Sequence, residues 1–181
     1  CAILWAMRHE WIIDDGDAEK VRSFVKEWSD DPFVKARIEH NLTDSKPPVT
    51  RQAFWSGVYA CLLTTQQRSG PTSPVTKFLQ QKPSPLRLSL CEQQKDLPAY
   101  ATRVLAEFGG LRRTTIIGKE LEANLPWIEG KAWNELHGHL EAVRLKQTVD
   151  VERAAANFIQ MHFRGFGPKQ SRNLHQYLGL I

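Results

Sequence analysis

Residues 161–181 read MHFRGFGPKQSRNLHQYLGLI. A helical run ends at Arg164, a Gly165-Phe166-Gly167 turn follows, and Pro168 opens a second, short amphipathic helix. Glycine supplies the positive φ angles of a tight hairpin, and proline in a first helical turn gives up only an amide that lacks an intrahelical partner. The turn therefore presents bare backbone amides at a helix N-terminus. Reinforced by the positive end of the helix dipole, such amides make a place for a phosphate oxygen. No acidic residue occurs from Met161 to Ile181, while Arg164, Lys169 and Arg172 add positive charge. Taken alone, Lys169 reads equally well as a solvated side chain in the first turn of a helix.

Working outward, 181 residues are enough for one compact domain with a substantial core, or two small lobes. Apolar content of 41% with 24% charged residues is that of an ordinary globular chain. The net charge of +4 is unevenly spread. Residues 1–45 carry six Lys/Arg against ten Asp/Glu, a balance of −4, which leaves 18 against 10, or +8, for residues 46–181. A basic body behind an acidic N-terminal segment fits a protein that turns one face to a polyanion. The three cysteines, Cys1, Cys61 and Cys91, form no Cys-x-x-Cys pair, so no zinc site, iron–sulfur cluster or other cofactor is expected and a reducing compartment is the natural setting. No apolar run approaches the length of a membrane span and no secretory signal is visible. A cytoplasmic, nucleoid or nuclear location with no membrane partner is the expectation. The sequence begins with Cys and stops one turn past the hairpin helix, so one or both natural termini are expected to lie outside it.

In chain order, residues 1–13 (CAILWAMRHEWII) read as a largely buried helix. Asp17 is the expected N-cap of a helix through Trp28, with Val21, Phe24, Val25 and Trp28 recurring at helical steps. Asp31 caps another, carrying Phe33, Val34, Ile38 and Leu42 on one face. Residues 44–48 (DSKPP) form a linker, which sets the predicted division at 1–45, an acidic helical segment, and 46–181, the main body. Thr50 to Gln67 is a strong helix whose Phe54, Val58, Cys61 and Leu62 face a core and whose end reads LLTTQQ. A loop at Lys82–Pro85 follows. Pro98 opens a helix closed by Gly109-Gly110, and another begins at Arg112-Arg113-Thr114-Thr115 and runs through Asn124. Residues 126–130 turn the chain, and Trp133 to Leu145 is a helix whose His137 and His139, two apart, point to different faces and make a poor metal pair. Asp150 caps Val151 to Phe163, the first helix of the hairpin. No segment alternates as a strand does, so the predicted class is all-α, without internal repeats.

Two features in order, Leu62-Leu63-Thr64-Thr65-Gln66-Gln67 and, roughly a hundred residues later, Gly165-Phe166-Gly167-Pro168-Lys169, resemble the helix-hairpin-helix DNA glycosylases, most of all the 8-oxoguanine glycosylase/lyase branch. The resemblance implies an all-α fold with helical lobes flanking a DNA-binding cleft, acting as a monomer on double-stranded DNA that carries a modified base. It implies Lys169 as the Schiff-base nucleophile of a base-excising enzyme with associated lyase activity. The hairpin residues Arg164, Gly165, Phe166 and Gly167, with Gln170 and Arg172, would contact DNA, and Gln66 or Gln67 would fill the gap left by the flipped base. Asn173 and Tyr177 follow Lys169 at four-residue steps and so share its face, which makes them the implied base-pocket residues, although plain packing explains a stripe of this kind as well. A lysine amine attacks only once deprotonated, and the helix N-terminus with Arg164 or Arg172 supplies the nearby positive charge that favours the neutral form. The family also carries an aspartate at the start of the next helix. Nothing after Lys169 is acidic here, so that group is expected beyond Ile181. The same residues also suit a hairpin module that binds DNA without catalysis, or a glycosylase without lyase activity.

Overall fold

The computed structural model describes residues 14–42, 46–146 and 148–181, and the helix expected over residues 1–13 lies outside them. The chain divides into two compact units, Cys1–Thr43 and Asp44–Ile181. All regular structure among the described residues is helical.

The first unit holds α1 (Asp15–Trp28) and α2 (Pro32–Leu42). Asp14, not Asp17, caps α1, accepting the Asp17 amide at 2.7 Å, so the cap lies three residues earlier than expected and Asp17 joins Asp15 in the first turn, where negative charge suits the dipole. Asp31 does take its expected place, accepting the Val34 amide at 3.1 Å. The apolar stripe of α1 is well exposed at Val21, Phe24, Val25 and Trp28, with the Phe24 and Trp28 rings 6.2 Å apart.

The second unit is built around α3 (Arg51–Thr64). Its N-cap Thr50 accepts the Ala53 amide at 3.1 Å, and from there Phe54, Trp55, Val58, Leu62 and Leu63 are completely buried. Trp55, Tyr59 and Leu63 lie outside the predicted core stripe, so this helix buries its whole circumference rather than one face. The buried Trp55 indole is satisfied by donating to the Leu86 carbonyl at 2.8 Å. Around α3 stand α4 (Pro74–Leu79), α5 (Leu88–Cys91), α6 (Leu97–Phe108), α7 (Thr114–Asn124), a 3₁₀ turn at Leu125–Ile128, α8 (Gly130–Lys146), α9 (Val149–His162) and α10 (Pro168–Tyr177). Caps explain most boundaries: Ser73 holds α4, Asp96 holds α6, and Thr148 rather than Asp150 holds α9, each through the amide three residues on. α8 starts at Gly130, three residues before the predicted Trp133.

Two glycine-mediated contacts fix the packing. A side chain at Gly118 would come within 2.7 Å of the Pro98 carbonyl, so α7 lies directly on α6. A side chain at Gly57 would meet Leu174 at 2.4 Å and Tyr177 at 3.1 Å, so α10 lies directly on α3. Edge-on aromatic contacts of Phe163 with Phe54 (5.5 Å) and Phe166 (5.9 Å) join the hairpin to the same core. Among the described residues no helix is long and apolar enough to cross a membrane.

Candidate nucleic-acid interface at the hairpin

α9 ends at His162, Phe163 leaves it in an extended conformation, and Gly165 turns the chain at φ +83°. Any other residue at 165 meets two obstacles. The left-handed backbone disfavours a side chain, and a Cβ there would lie 2.5 Å from Leu62 Cδ2 and 2.9 Å from Glu120 Cδ. Gly167 differs from the expectation of positive φ at both glycines: its φ of −96° and ψ of −173° suit any residue, and the space before its Cα is open. Pro168 then opens α10 with no side-chain cap, so the Lys169 and Gln170 amides lack both an intrahelical and a capping acceptor. Phe166 turns its ring into the core at 5% exposure, which leaves only its backbone for a ligand.

The turn is held from α7. Asn124, completely buried, accepts the Arg164 amide at 2.7 Å and donates to the Arg164 carbonyl at 3.0 Å, while the Arg164 side chain stays exposed with no partner among the described residues. One turn earlier on α7, Glu120 lies under Gly165 and pairs with Arg113 at 3.0 Å. Burial pushes the Glu120 carboxyl above its usual range, against the opposing pull of Arg113. The hairpin is therefore acid-free in sequence but not in space, since Glu120 reaches it from α7 and Glu152 of α9 stands 3.7 Å from Arg172.

On α10 the expected site residues separate. Lys169 is exposed with no partner among the described residues. Gln170 faces inward: its amide nitrogen donates to the Cys61 carbonyl at 2.7 Å and the Thr65 hydroxyl at 2.6 Å, and its oxygen accepts from Asn173 at 2.7 Å. Its side chain thus joins α10 to the end of α3 instead of standing ready for DNA. Asn173 is half-buried beside it, and Tyr177 lies on Gly57 at 39% exposure. His175, unread in the sequence, is completely buried, neither ring nitrogen has a partner among the described residues, and burial pushes its pKa down to about 4.

At the end of α3 the two glutamines also part. Gln67 donates to the Leu63 carbonyl and accepts the Arg112 amide at 2.9 Å, so it closes the helix and anchors the turn before α7. Gln66 is exposed and sits at φ +59°, the left-handed region that a non-glycine residue enters at a cost. Of the pair, Gln66 is the one whose side chain is available. A crevice of about 460 Å³ adjoins it, lined by Gln66, Gln67, Arg68, Pro74, Gly110 and Arg112.

His137 approaches Glu141 at 3.8 Å while His139 stacks on Phe158 at 4.4 Å, and among the described residues no group of three or more His, Cys, Asp or Glu is placed to hold a metal. Chemically, the hairpin offers uncapped amides, an exposed amine and, at Arg164, a guanidinium with no partner among the described residues. No family model, curated protein or solved structure matches the chain.

Proposed function

We propose that the protein binds double-stranded DNA through the α9–α10 hairpin and excises a modified base, an oxidised purine being the first class to test, with Lys169 as nucleophile and β-elimination to follow. The observation that carries this reading is the position of Lys169. Its amine is exposed in the first turn of α10, beside amides with no acceptor, and Gln170 ties that turn to the end of α3 that bears Gln66. The amides and Arg164 hold a backbone phosphate. Gln66 enters the stack where the nucleotide has left it, which offsets part of the few kcal/mol of unstacking. The neutral Lys169 amine then attacks C1′, and the base departs with the electrons of the glycosidic bond and takes up a proton. The sugar ring then opens: the C1′–O4′ bond breaks, O4′ takes up a proton and the lysine nitrogen loses one, which leaves an imine at C1′. The imine acidifies C2′–H; loss of that proton expels the 3′ phosphate, and water hydrolyses the imine to restore the amine.

A second reading, DNA binding without catalysis, is favoured by one feature: no group in the structure takes the Lys169 amine out of water. The two are separated by incubating the protein with duplexes bearing single modified bases and following base release and strand scission. The first reading requires both products on at least one duplex. Salt-sensitive binding without base release on any duplex would establish the second.

A further inference from the structure

We infer that the crevice at the end of α3 is a second phosphodiester site, with Arg68 and Arg112 as its cations; this rests on the duplex-DNA reading above. Among the described residues, Arg22, Arg51, Arg113, Arg144, Arg153 and Arg172 each have a carboxylate within 4 Å, whereas Arg68, Arg87, Arg103, Arg112 and Arg164 have none, and of these five only Arg68 and Arg112 line the crevice. Arg68 and Arg112 are exposed, have no such partner among the described residues, and line a crevice to which no carboxylate contributes. The neighbouring Arg113 turns inward to Glu120, so the two adjacent arginines are sorted into one structural group and one left facing solvent.

The ground beneath Arg112 is rigid. Gln67 accepts its amide at 2.9 Å, and Gly110, at φ +71°, packs so closely on Pro74 that a side chain there would come within 2.8 Å of the ring. Arg112 is thus held by its backbone, and its exposed side chain has no carboxylate partner among the described residues. A planar fork of donors matches phosphate oxygens, and an open crevice suits a passing strand better than an enclosed small molecule. Position supports the same class of ligand. Gln170 bonds to Thr65, the residue before Gln66, so the first turn of α10 and the mouth of the crevice lie on neighbouring ground that one duplex can cover. Phosphates form most of the contact in such interfaces, and two guanidinium groups flanking an exposed glutamine are placed for the backbone beside an inserted side chain.

The test measures duplex affinity over a series of salt concentrations for the parent, Arg68→Gln, Arg112→Gln, the double variant and Arg164→Gln. The expected result is a fall of about one unit in the slope of log K against log salt for each arginine removed, and about two for the double variant, whatever base stands opposite the lesion. An unchanged slope in the double variant, alongside a reduced slope in Arg164→Gln, would overturn the crevice assignment and leave the hairpin reading standing. A loss that varies with the opposite base would mean that the guanidinium groups read base edges, which overturns the backbone assignment. A parent that binds duplex without salt dependence would overturn both.

Discussion

Replacing Asn124 by alanine should release the hairpin from α7. The side chain is completely buried and makes two bonds to one residue forty positions away, accepting the Arg164 amide at 2.7 Å and donating to its carbonyl at 3.0 Å. Alanine leaves a donor and an acceptor unmatched, at about 1–3 kcal/mol each, and the lower end applies where water reaches the exposed Arg164; the loss is about 2–4 kcal/mol, on the order of 10 °C in Tm. Asn124→Asp divides the two bonds. An ionised aspartate still accepts the amide but repels the carbonyl and buries a charge, whereas a protonated one restores the donor. Burial and the carbonyl raise the folded-state pKa of that aspartate above its unfolded value, so its folded state takes up a proton first and stability is gained as pH falls. Denaturant unfolding of parent and both variants at several pH values measures this. An Asn124→Ala protein within about 0.5 kcal/mol of the parent, or an Asn124→Asp protein whose deficit is the same at every pH, would refute the clamp.

Three further outcomes follow from the same geometry. Gly165→Ala should cost about 2–4 kcal/mol, from left-handed backbone and contact with Leu62 and Glu120, while Gly167→Ala should leave stability nearly unchanged yet weaken DNA binding by filling the open space before the amides; thermal melts and a binding titration on the pair check both. His175, with a folded pKa of about 4 against an unfolded value of 6.5, contributes stability that is complete above pH 6.5 and lost as pH falls towards 4, about 3 kcal/mol in all, so replacing it by leucine should flatten that part of a stability–pH curve. Gln66→Ala should weaken binding to an abasic duplex far more than to an intact one, whereas Gln67→Ala should lower stability by loosening the turn at Arg112; equal losses on the two duplexes would reduce Gln66 to an ordinary surface amide.

The hairpin, the all-helical class and most helix starts were legible because they depend on neighbours in sequence: a Gly-Phe-Gly turn, prolines in first turns, Ser, Thr or Asp before apolar runs. Errors of two or three residues, at Asp14 against Asp17 and Thr148 against Asp150, arose where several capping residues compete within one turn. α5 was missed because four residues carry no periodicity. The stripe on α1 repeats correctly for a helix, yet periodicity cannot say that a stripe is covered, and Phe24 is 63% exposed. What escaped entirely was set by contacts distant in sequence. Nothing near Asn124 announces Arg164, nothing near Glu120 announces Gly165, and whether Gln66, Gln67 or Gln170 is available depends on which of them finds a backbone partner in the fold.

The claim at the centre is that the Lys169 amine becomes covalently joined to the sugar. A lysine that only contacts phosphate is replaceable by arginine with little loss, whereas arginine does not lose its proton and forms no imine. Borohydride added during reaction with lesion-bearing duplex should trap a protein–DNA adduct in the parent, with peptide mapping placing the link at Lys169, and Lys169→Arg should bind the duplex without forming it. Base release with no trappable adduct, or an adduct that persists in Lys169→Arg, would contradict the claim.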